Sequence, residues 1–244
     1  KERSRRGQFH PIWRKVKVHV RRRRKRGRVS VGFEKKKIRV RQWFHDGRPS
    51  RQVALNPTDT YVLSLSPTLL HVYKLRDGAL VARLAPPPPV KAVDESLASG
   101  TVFTKFHVST LDPNSIAVGT NDGSIWFFDI TEGQKQQQDQ KPLFGLVKRH
   151  VAAVKDVVFS PIDPNVLFTA GEDGTVMVFD FKTGETIQQF NNSDIGAPIT
   201  SLSLDGDGRT CAVSYESGDV VVYDMERNQK PMIVASLNVS GKVE

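Results

Sequence analysis

The residues in this sequence that are best suited to chemistry are six histidines and one cysteine. Cys211 stands alone, which excludes an internal disulfide and a thiolate metal site built from this chain. It also lies within an apolar row, so we expect it to be a small core residue. The histidines are scattered without the spacings that metal ligands use. They are His10, His19, His45, His71, His107 and His150.

A short acidic segment resembles the beginning of a calcium-binding loop. Asp205-Gly206-Asp207-Gly208 is followed by Glu216, eleven residues after the first aspartate. Arg209 occupies the fifth position and the glycine comes two residues early, so the oxygen ligands of a calcium site cannot be completed. We therefore predict a turn between two strands.

Sequence motifs for catalysis are missing as well. No glycine loop is followed by Lys-Ser or Lys-Thr, as phosphate binding requires, and no Ser or Cys occupies a nucleophile elbow. The sequence therefore predicts no catalytic residue, no metal and no cofactor. We expect a protein without enzymatic activity and without a small-molecule substrate.

Charge is distributed very unevenly along the chain. Residues 1–52 contain 21 Lys or Arg and three acidic residues, a net charge of +18, whereas the remaining residues carry −8. Such an asymmetry predicts a polyanion-binding arm attached to an acidic globular body. We assign the arm to residues 1–51.

The basic residues of the arm are candidate ligands of an RNA backbone. Lys15–Arg21 and Ile38–Arg41 alternate apolar and cationic residues, which predicts extended backbone with cations on one side. Arginine binds phosphate through two parallel hydrogen bonds, and the aromatic residues of the arm offer rings on which unpaired bases stack. The candidates are Arg21, Arg22, Arg23, Arg24, Lys25, Arg26, Arg28, Lys35, Lys36, Lys37, Arg39 and Arg41.

Two other interpretations of the arm remain open. The basic octamer at residues 21–28 has the composition of a nuclear import signal. The arm also has the charge to bind acidic protein tails, for example on a filament.

The rest of the chain contains an internal repeat. Three segments align as a turn, a strand and a terminal aromatic-Asp pair, and a fourth copy is degenerate. Each copy follows two short apolar runs separated by a polar turn, which predicts antiparallel strands at a period of about 44 to 55 residues. The copies are Pro67–Lys74, Asp122–Asp129, Asp173–Asp180 and Ser217–Asp224.

These units resemble the WD-repeat family, in which four strands form one blade and the third strand ends in Trp-Asp or a substitute. The resemblance implies an all-β WD-repeat β-propeller over residues 52–244. A closed propeller usually has four to eight blades, and one of the four here is degenerate, so we expect a partial propeller. The predicted blades cover about 52–85, 101–149, 150–190 and 196–240.

Completion of this propeller is expected to need further strands. Either the chain is a segment of a longer one, or strands come from the arm or from a partner. Residues 236–244 are predicted as the last strand of the fourth blade and the entry to a fifth.

The resemblance also implies a hydrogen-bonded structural set in the third blade. In the family it joins a His before the blade, an Asp in a turn, a Ser or Thr on the second strand and the Trp. His150, Asp173 and Thr169 stand at matching positions, whereas Phe179 replaces the Trp. Phenylalanine has no indole N–H, so we expect a set of at most three members.

Two irregular segments separate the strands. Pro86–Pro89 favours a stiff spacer, with a ligand for a proline-recognition module as the alternative. Glu132–Gln140 is a Gln-rich insertion.

These observations predict a structural or assembly subunit of a large ribonucleoprotein, such as a ribosomal or ribosome-assembly particle. The arm would bind RNA, with ribosomal RNA favoured, and the propeller would bind several proteins. No apolar run approaches the roughly 20 residues of a membrane helix.

The expected compartment is the mitochondrion, after removal of a transit peptide, or the nucleolus and nucleus, and not the secretory route. The alternative is a protein-only scaffold, such as a cytoskeletal or axonemal adaptor.

Overall fold

The computed structural model contains two units, Lys1–Gly47 and Arg48–Glu244. Secondary structure in the described part consists of strands and turns, and no helix there is long and apolar enough to cross a membrane. The structure describes residues 50–87, 100–130, 142–146, 149–225 and 232–238, and the backbone of three two-residue strands at 13–14, 38–39 and 139–140.

The first unit is described only at one short strand pair. Strands β1 (Trp13–Arg14) and β2 (Ile38–Arg39) are antiparallel, with Trp13 opposite Arg39 and Arg14 opposite Ile38. The extended backbone of β2 agrees with the alternation that predicted it. Arg39 is the one predicted RNA ligand within these strands, and the other eleven lie outside the described residues.

The second unit contains four sheets in sequence order, each built on four consecutive antiparallel strands, which confirms the prediction of an all-β WD-repeat propeller with about four blades. The first blade is β3 (Gln52–Leu55), β4 (Tyr61–Leu65), β5 (Leu70–Lys74) and β6 (Leu80–Leu84). The second is β7 (Phe103–Val108), β8 (Ser115–Thr120), β9 (Ile125–Asp129) and β11 (Phe144–Leu146). A short strand, β10 (Asp139–Gln140), lies between β9 and β11 in the sequence. The third is β12 (Val154–Phe159), β13 (Val166–Gly171), β14 (Thr175–Asp180) and β15 (Glu185–Asn191). The fourth is β16 (Ile199–Leu204), β17 (Thr210–Tyr215), β18 (Asp219–Asp224) and β19 (Met232–Asn238).

The Gln-rich insertion contributes a strand that the sequence did not predict. β10 pairs in parallel with β6, so a segment inserted into the second blade adds a fifth strand to the outer edge of the first. Asp139 lies opposite Arg83, and Gln140 lies opposite Leu84. Asp139 and Gln140 are both polar, so this segment has no alternation of apolar and polar residues that would indicate a strand. Residues 88–99, which follow the start of the proline run, lie outside the described residues.

The end of the fourth blade also differs from the prediction. Its last strand begins at Met232, four residues before the predicted start, and residues after Asn238 lie outside the described part. The apolar run Met232-Ile233-Val234 pairs with β18 and therefore belongs to the sheet.

The hydrophobic core lies between neighbouring blades. Aromatic rings fill the space between the second and third blades, where Phe127 stacks on Phe144 at 4.5 Å and on Phe181 at 5.0 Å between ring centroids. Phe159 meets Phe181 edge-on at 5.5 Å. Because each blade buries one face against the next, no single blade can form this core alone.

Candidate functional site

A buried polar network closes the third blade. His150 lies in the loop before β12 and is 1% exposed. Its Nε2 atom is 2.8 Å from Thr169 Oγ1 on β13, and its Nδ1 atom is 3.1 Å from Asp173 Oδ2 in the turn before β14. The structure therefore brings together three of the four residues that the resemblance implied.

Thr175 is a fourth member of this network, and no residue pattern considered above had indicated it. The Thr175 hydroxyl donates to Asp173 Oδ1 at 2.6 Å and lies 3.1 Å from His150 Nδ1. The signal available in the sequence was a Thr two residues after a turn Asp, a spacing at which side chain and backbone hydrogen bonds close the turn.

Asp173 is the electrostatic centre of the network. Besides its side-chain partners it accepts the backbone N–H groups of Val151 and Thr175, both at 3.0 Å. Burial by itself would raise the pKa of Asp173, but the hydrogen bonds from His150 and Thr175 outweigh it and hold that pKa well below its usual range. A carboxylate only accepts hydrogen bonds, so we assign the proton of His150 to Nδ1, and Thr169 donates to Nε2.

Phe179 does not take part in the hydrogen bonds. Its ring is fully buried on β14, and the guanidinium carbon of Arg149 lies 5.9 Å from the ring centroid. Arg149 Nη2 also donates to the Gly184 carbonyl at 3.0 Å. The position of the family Trp is therefore held by packing.

The loop that carries His150 is also joined to the second blade. The His150 N–H donates to the Gly123 carbonyl at 3.1 Å. Gly123 has a φ of 81°, and a Cβ there would overlap the His150 carbonyl. Only glycine tolerates both conditions, so this turn allows the loop to approach closely.

Side chains on the first strands of the blades form further links between blades. The Gln52 amide both donates to the Phe106 carbonyl and accepts the Phe106 N–H, each at 2.9 Å, which joins the first blade to the second. His107 Nδ1 accepts the Phe159 N–H at 3.3 Å and joins the second to the third. Burial lowers the pKa of His107, partly offset by the charge of Asp156, so the neutral ring that accepts this bond is favoured.

Asp156 makes the corresponding link from the third blade to the fourth. Its Oδ2 atom accepts the Ser201 hydroxyl at 2.6 Å and the Leu202 N–H at 3.1 Å. Its other oxygen lies 3.9 Å from Lys105 Nζ on the second blade. Asp156 is 4% exposed, so this carboxylate connects three blades within the core.

The acidic segment, the cysteine and His71 are all part of the blade structure. The acidic segment is a turn, as predicted, in which Asp205 Oδ1 accepts the Thr210 N–H at 3.0 Å. Cys211 is buried, as predicted, and burial with the charge of Asp205 raises the pKa of its thiol to about 12. His71 is buried and stacks on Tyr73 at 5.9 Å. Within the described ranges no group of three His, Cys, Asp or Glu residues could hold a metal ion.

Comparison with known proteins supports the same architecture. The family model described as Nucleolar protein 10-like, N-terminal domain, matches residues 114–241, just over half of the chain. A similar protein is the GATOR2 complex protein WDR24 of Danio rerio, 23% identical over 75% of this chain and 22% of that protein. Others are a guanine nucleotide-binding protein subunit beta of Nicotiana tabacum, 30% identical over 48% of this chain and 30% of that protein, and WD repeat-containing protein 90 of Mus musculus, 28% identical over 57% and 8%.

The chain spans about a fifth of the length of the WDR24 relative and less than a third of the other two. The family match covers the strands from β8 to β19 and includes the network of the third blade. The chain therefore belongs to the family of the nucleolar protein 10-like N-terminal domain, a WD-repeat β-propeller family.

Proposed function

We propose that this chain is a non-enzymatic structural subunit of a large ribonucleoprotein, a ribosomal or ribosome-assembly particle of the nucleolus. Its arm, residues 1–51, lies along the RNA backbone, and its propeller binds several neighbouring proteins. The observation that carries the proposal is the separation of charge, +18 in residues 1–52 and −8 in the rest.

RNA is the polyanion that suits the composition of the arm. Twenty-one cations in about fifty residues repel one another and need a dense counter-charge, which a phosphate backbone supplies. Aromatic residues such as Trp13 and Trp43 add rings that stack on unpaired bases. The arm lacks a sequence-reading module, so its contacts are to backbone and shape, and structured ribosomal RNA is the favoured ligand.

Protein partners suit the propeller. In the described blades, polar side chains such as Asp156 and Asp173 are used to join strands and blades. The loops between strands carry exposed apolar residues, among them Val151 at 93% and Ile162 at 63% exposure. The relatives are named as a complex protein and as a protein subunit, which supports a role in assemblies.

The nucleolus and nucleus are the favoured compartment. The matching family model is described by a nucleolar protein, and the basic octamer at residues 21–28 also suits nuclear import. The mitochondrial alternative finds no support in the comparisons.

Retention on ribosomal RNA fragments, titrated with salt, tests the proposal. Deletion of residues 1–41 should abolish retention. Replacement of the six cations at 21–26 by Gln should flatten the dependence of log affinity on log salt by about 0.7 to 0.9 for each phosphate that the arm no longer neutralises. The matched control replaces Lys74, Lys182 and Arg209, exposed cations of the blades, by Gln and should leave retention nearly unchanged.

Two results would contradict the proposal. One is unchanged RNA retention after deletion of residues 1–41, with the blades still folded by circular dichroism. The other is displacement of the full chain from RNA by polyglutamate at equal charge concentration, because the arm would then prefer acidic protein surfaces and the protein-only scaffold would be favoured.

A further inference from the structure

The second, third and fourth blades each expose a turn between their first and second strands. In each of these blades the residue after the third strand donates its N–H to the last residue of that turn, as Phe181 does to the Asn165 carbonyl at 2.9 Å. The ends of the first and third strands of a blade therefore lie at the same side of the sheet. We call this surface the turn face. It consists of residues 109–114, 160–165, 180–185 and 205–209.

The turns of neighbouring blades lie next to one another. Just before the turns of the second and third blades, His107 Nδ1 accepts the Phe159 N–H at 3.3 Å. The Ile162 side chain lies against the turn of the fourth blade, because a Cβ on Gly208 would be 3.3 Å from Ile162 Cγ1. The three turns therefore form one continuous surface.

Two of the turns expose an aliphatic side chain at the same position. Leu111 is 47% exposed and Ile162 is 63% exposed. Ser160 closes the turn of Ile162, since its Oγ atom accepts the Asp163 N–H at 3.2 Å, and Ser109 closes the turn of Leu111 in the same way. Because these turns are already ordered, packing of a partner on the two aliphatic side chains costs little conformational entropy.

Acidic side chains surround the two aliphatic residues. The turn face contains six acidic and two basic residues. The exposed carboxylates of Asp112 and Asp163 come directly after Leu111 and Ile162, and the exposed Asp205 begins the adjacent turn of the fourth blade. The turn face therefore combines an apolar centre with negative charge.

The first blade has a different turn at the corresponding place. Its turn, residues 56–60, has Thr58 where the second and third blades have an aliphatic residue. Lys74 and Arg76 line the same hollow as Asp59, so cations accompany the acid there. The apolar and acidic character is therefore a property of the second to fourth blades.

We propose that the turn face binds a basic segment of a neighbouring protein, in which aliphatic residues are interleaved with lysines or arginines. The aliphatic residues of the segment pack on Leu111 and Ile162, and its cations pair with Asp112, Asp163 and Asp205. Complementary charge favours this occupant, because the same carboxylates repel a phosphate backbone.

This inference rests on the proposed protein-binding role of the propeller. A ribonucleoprotein contains partners of the required chemistry, since proteins that neutralise phosphates are rich in lysine and arginine. The net charge of −8 outside residues 1–52 also attracts a cationic segment.

Fluorescence anisotropy of a labelled peptide tests binding to the full chain. The probe repeats Lys-Leu-Gly-Ser three times, and two comparison peptides replace every Leu by Gly or every Lys by Gln. The wild-type chain should bind the probe, and it should bind each comparison peptide at least about fivefold more weakly. The cationic arm repels the probe, so the arm should not contribute to binding.

Removal of an aliphatic side chain tests the apolar centre. Ile162→Ser should weaken binding of the probe about fivefold, and Leu111→Ser repeats the test on the neighbouring turn. Val151→Ser is the matched control, since Val151 is an exposed aliphatic residue at the opposite ends of the strands. This control variant should bind the probe like the wild type.

Removal of three charges tests the acidic surroundings. The variant combines Asp112→Asn, Asp163→Asn and Asp205→Asn, and Asn keeps the Oδ1 atom that accepts a turn N–H in each case. It should bind the probe about tenfold more weakly at low salt and approach the wild type at high salt, because salt screens exposed ion pairs. The control removes the same charge from exposed residues at the opposite ends of the strands and should bind nearly like the wild type. It combines Glu172→Gln, Asp194→Asn and Glu216→Gln.

A wild-type chain that does not bind the probe would overturn the proposal. Equal weakening in the two charge variants would also overturn it, because binding would then depend on net charge alone. Retention on ribosomal RNA fragments should be unchanged in Ile162→Ser, and weaker retention would assign the turn face to RNA instead. Deletion of residues 1–41 tests the RNA role of the arm, so the two proposals fail through different measurements.

Discussion

The third and fourth blades share one strand pattern but close their turns in different ways. In the third blade Asp173 and Thr175 belong to a buried network with His150. At the same two positions the fourth blade has Ser217 and Asp219, whose side chains are joined at 2.6 Å in an exposed pair. Both turns are formed, so the turn itself does not require the network.

This difference separates turn formation from anchoring of a loop. The exposed pair of the fourth blade exchanges its hydrogen bonds with water at little net gain. In the third blade the turn is half-buried, but the Asp173 side chain is only 6% exposed, and it also holds the loop backbone at Val151. Loss of one hydrogen-bond partner there leaves other buried polar groups without a hydrogen bond, which lowers the free energy of unfolding. Substitutions should therefore have large effects in one blade and small effects in the other.

Removal of the central carboxylate should have the largest effect. Asp173→Ala deprives His150, Val151 and Thr175 of their acceptor and should lower the free energy of unfolding by about 3 kcal/mol. Ser217→Ala, the matched change in the fourth blade, should alter it by no more than about 0.5 kcal/mol. Urea denaturation measures both, and equal midpoints for the two variants would contradict the comparison.

The link between the two blades should rank second. Asp156→Ala removes the acceptor of Ser201 and Leu202 and should cost about 2 kcal/mol, because a buried N–H of the fourth blade loses its partner. Ser201→Ala removes one hydrogen bond only and should cost about 1 kcal/mol. In the double variant Ser201→Ala should add almost nothing, and full additivity would show that the two side chains act independently.

A smaller effect is expected from the far side of His150. Thr169→Val keeps the shape of the side chain but removes the hydroxyl that His150 Nε2 accepts, and should cost about 1 kcal/mol. Val213 occupies the same strand position in the fourth blade. Val213→Thr should also lower the free energy of unfolding, because it buries a hydroxyl where no histidine accepts its hydrogen bond. Thermal denaturation compares the pair, and stabilisation by Thr169→Val would be inconsistent with the assigned hydrogen bond from Thr169 to His150 Nε2.

The smallest effect should be a difference in pH dependence. The pKa of Asp173 is lower in the folded chain than its usual value of 3.8, so its stabilisation is complete above that value and is lost as the pH falls below it. The gap in unfolding free energy between wild type and Asp173→Asn should therefore be constant from pH 7 to pH 5 and shrink below pH 4. His107, whose pKa is also lowered, affects both proteins equally between pH 7 and pH 5. A gap that widens in acid would contradict the assignment.

Several parts of this architecture could be predicted from local sequence. The apolar runs such as Val157–Phe159 and Val166–Phe168 lie in β12 and β13, because alternation and turn residues act over a few neighbouring positions. The positions of His150, Asp173 and Thr169 were also identified, since the repeat places them at regular spacing. Their distances, and the participation of Thr175, are visible only in the folded structure.

The links between blades had no sequence signal. Gln52 and Phe106, or Asp156 and Leu202, are separated by about fifty residues, and a single Gln or Asp on a strand carries no indication of its partner. The same holds for β10, whose two polar residues pair with a strand of another blade. Such contacts depend on how whole blades stack.

The sequence by itself determined the strand repeat and the opposite charge of arm and body, because periodicity and composition are properties of neighbouring residues. Only the tertiary structure decided which polar side chains join the blades, and that the insertion at 139–140 pairs with the first blade. Those outcomes follow from packing between elements distant in the chain, where burial converts an ordinary Asp or Gln into a link between blades.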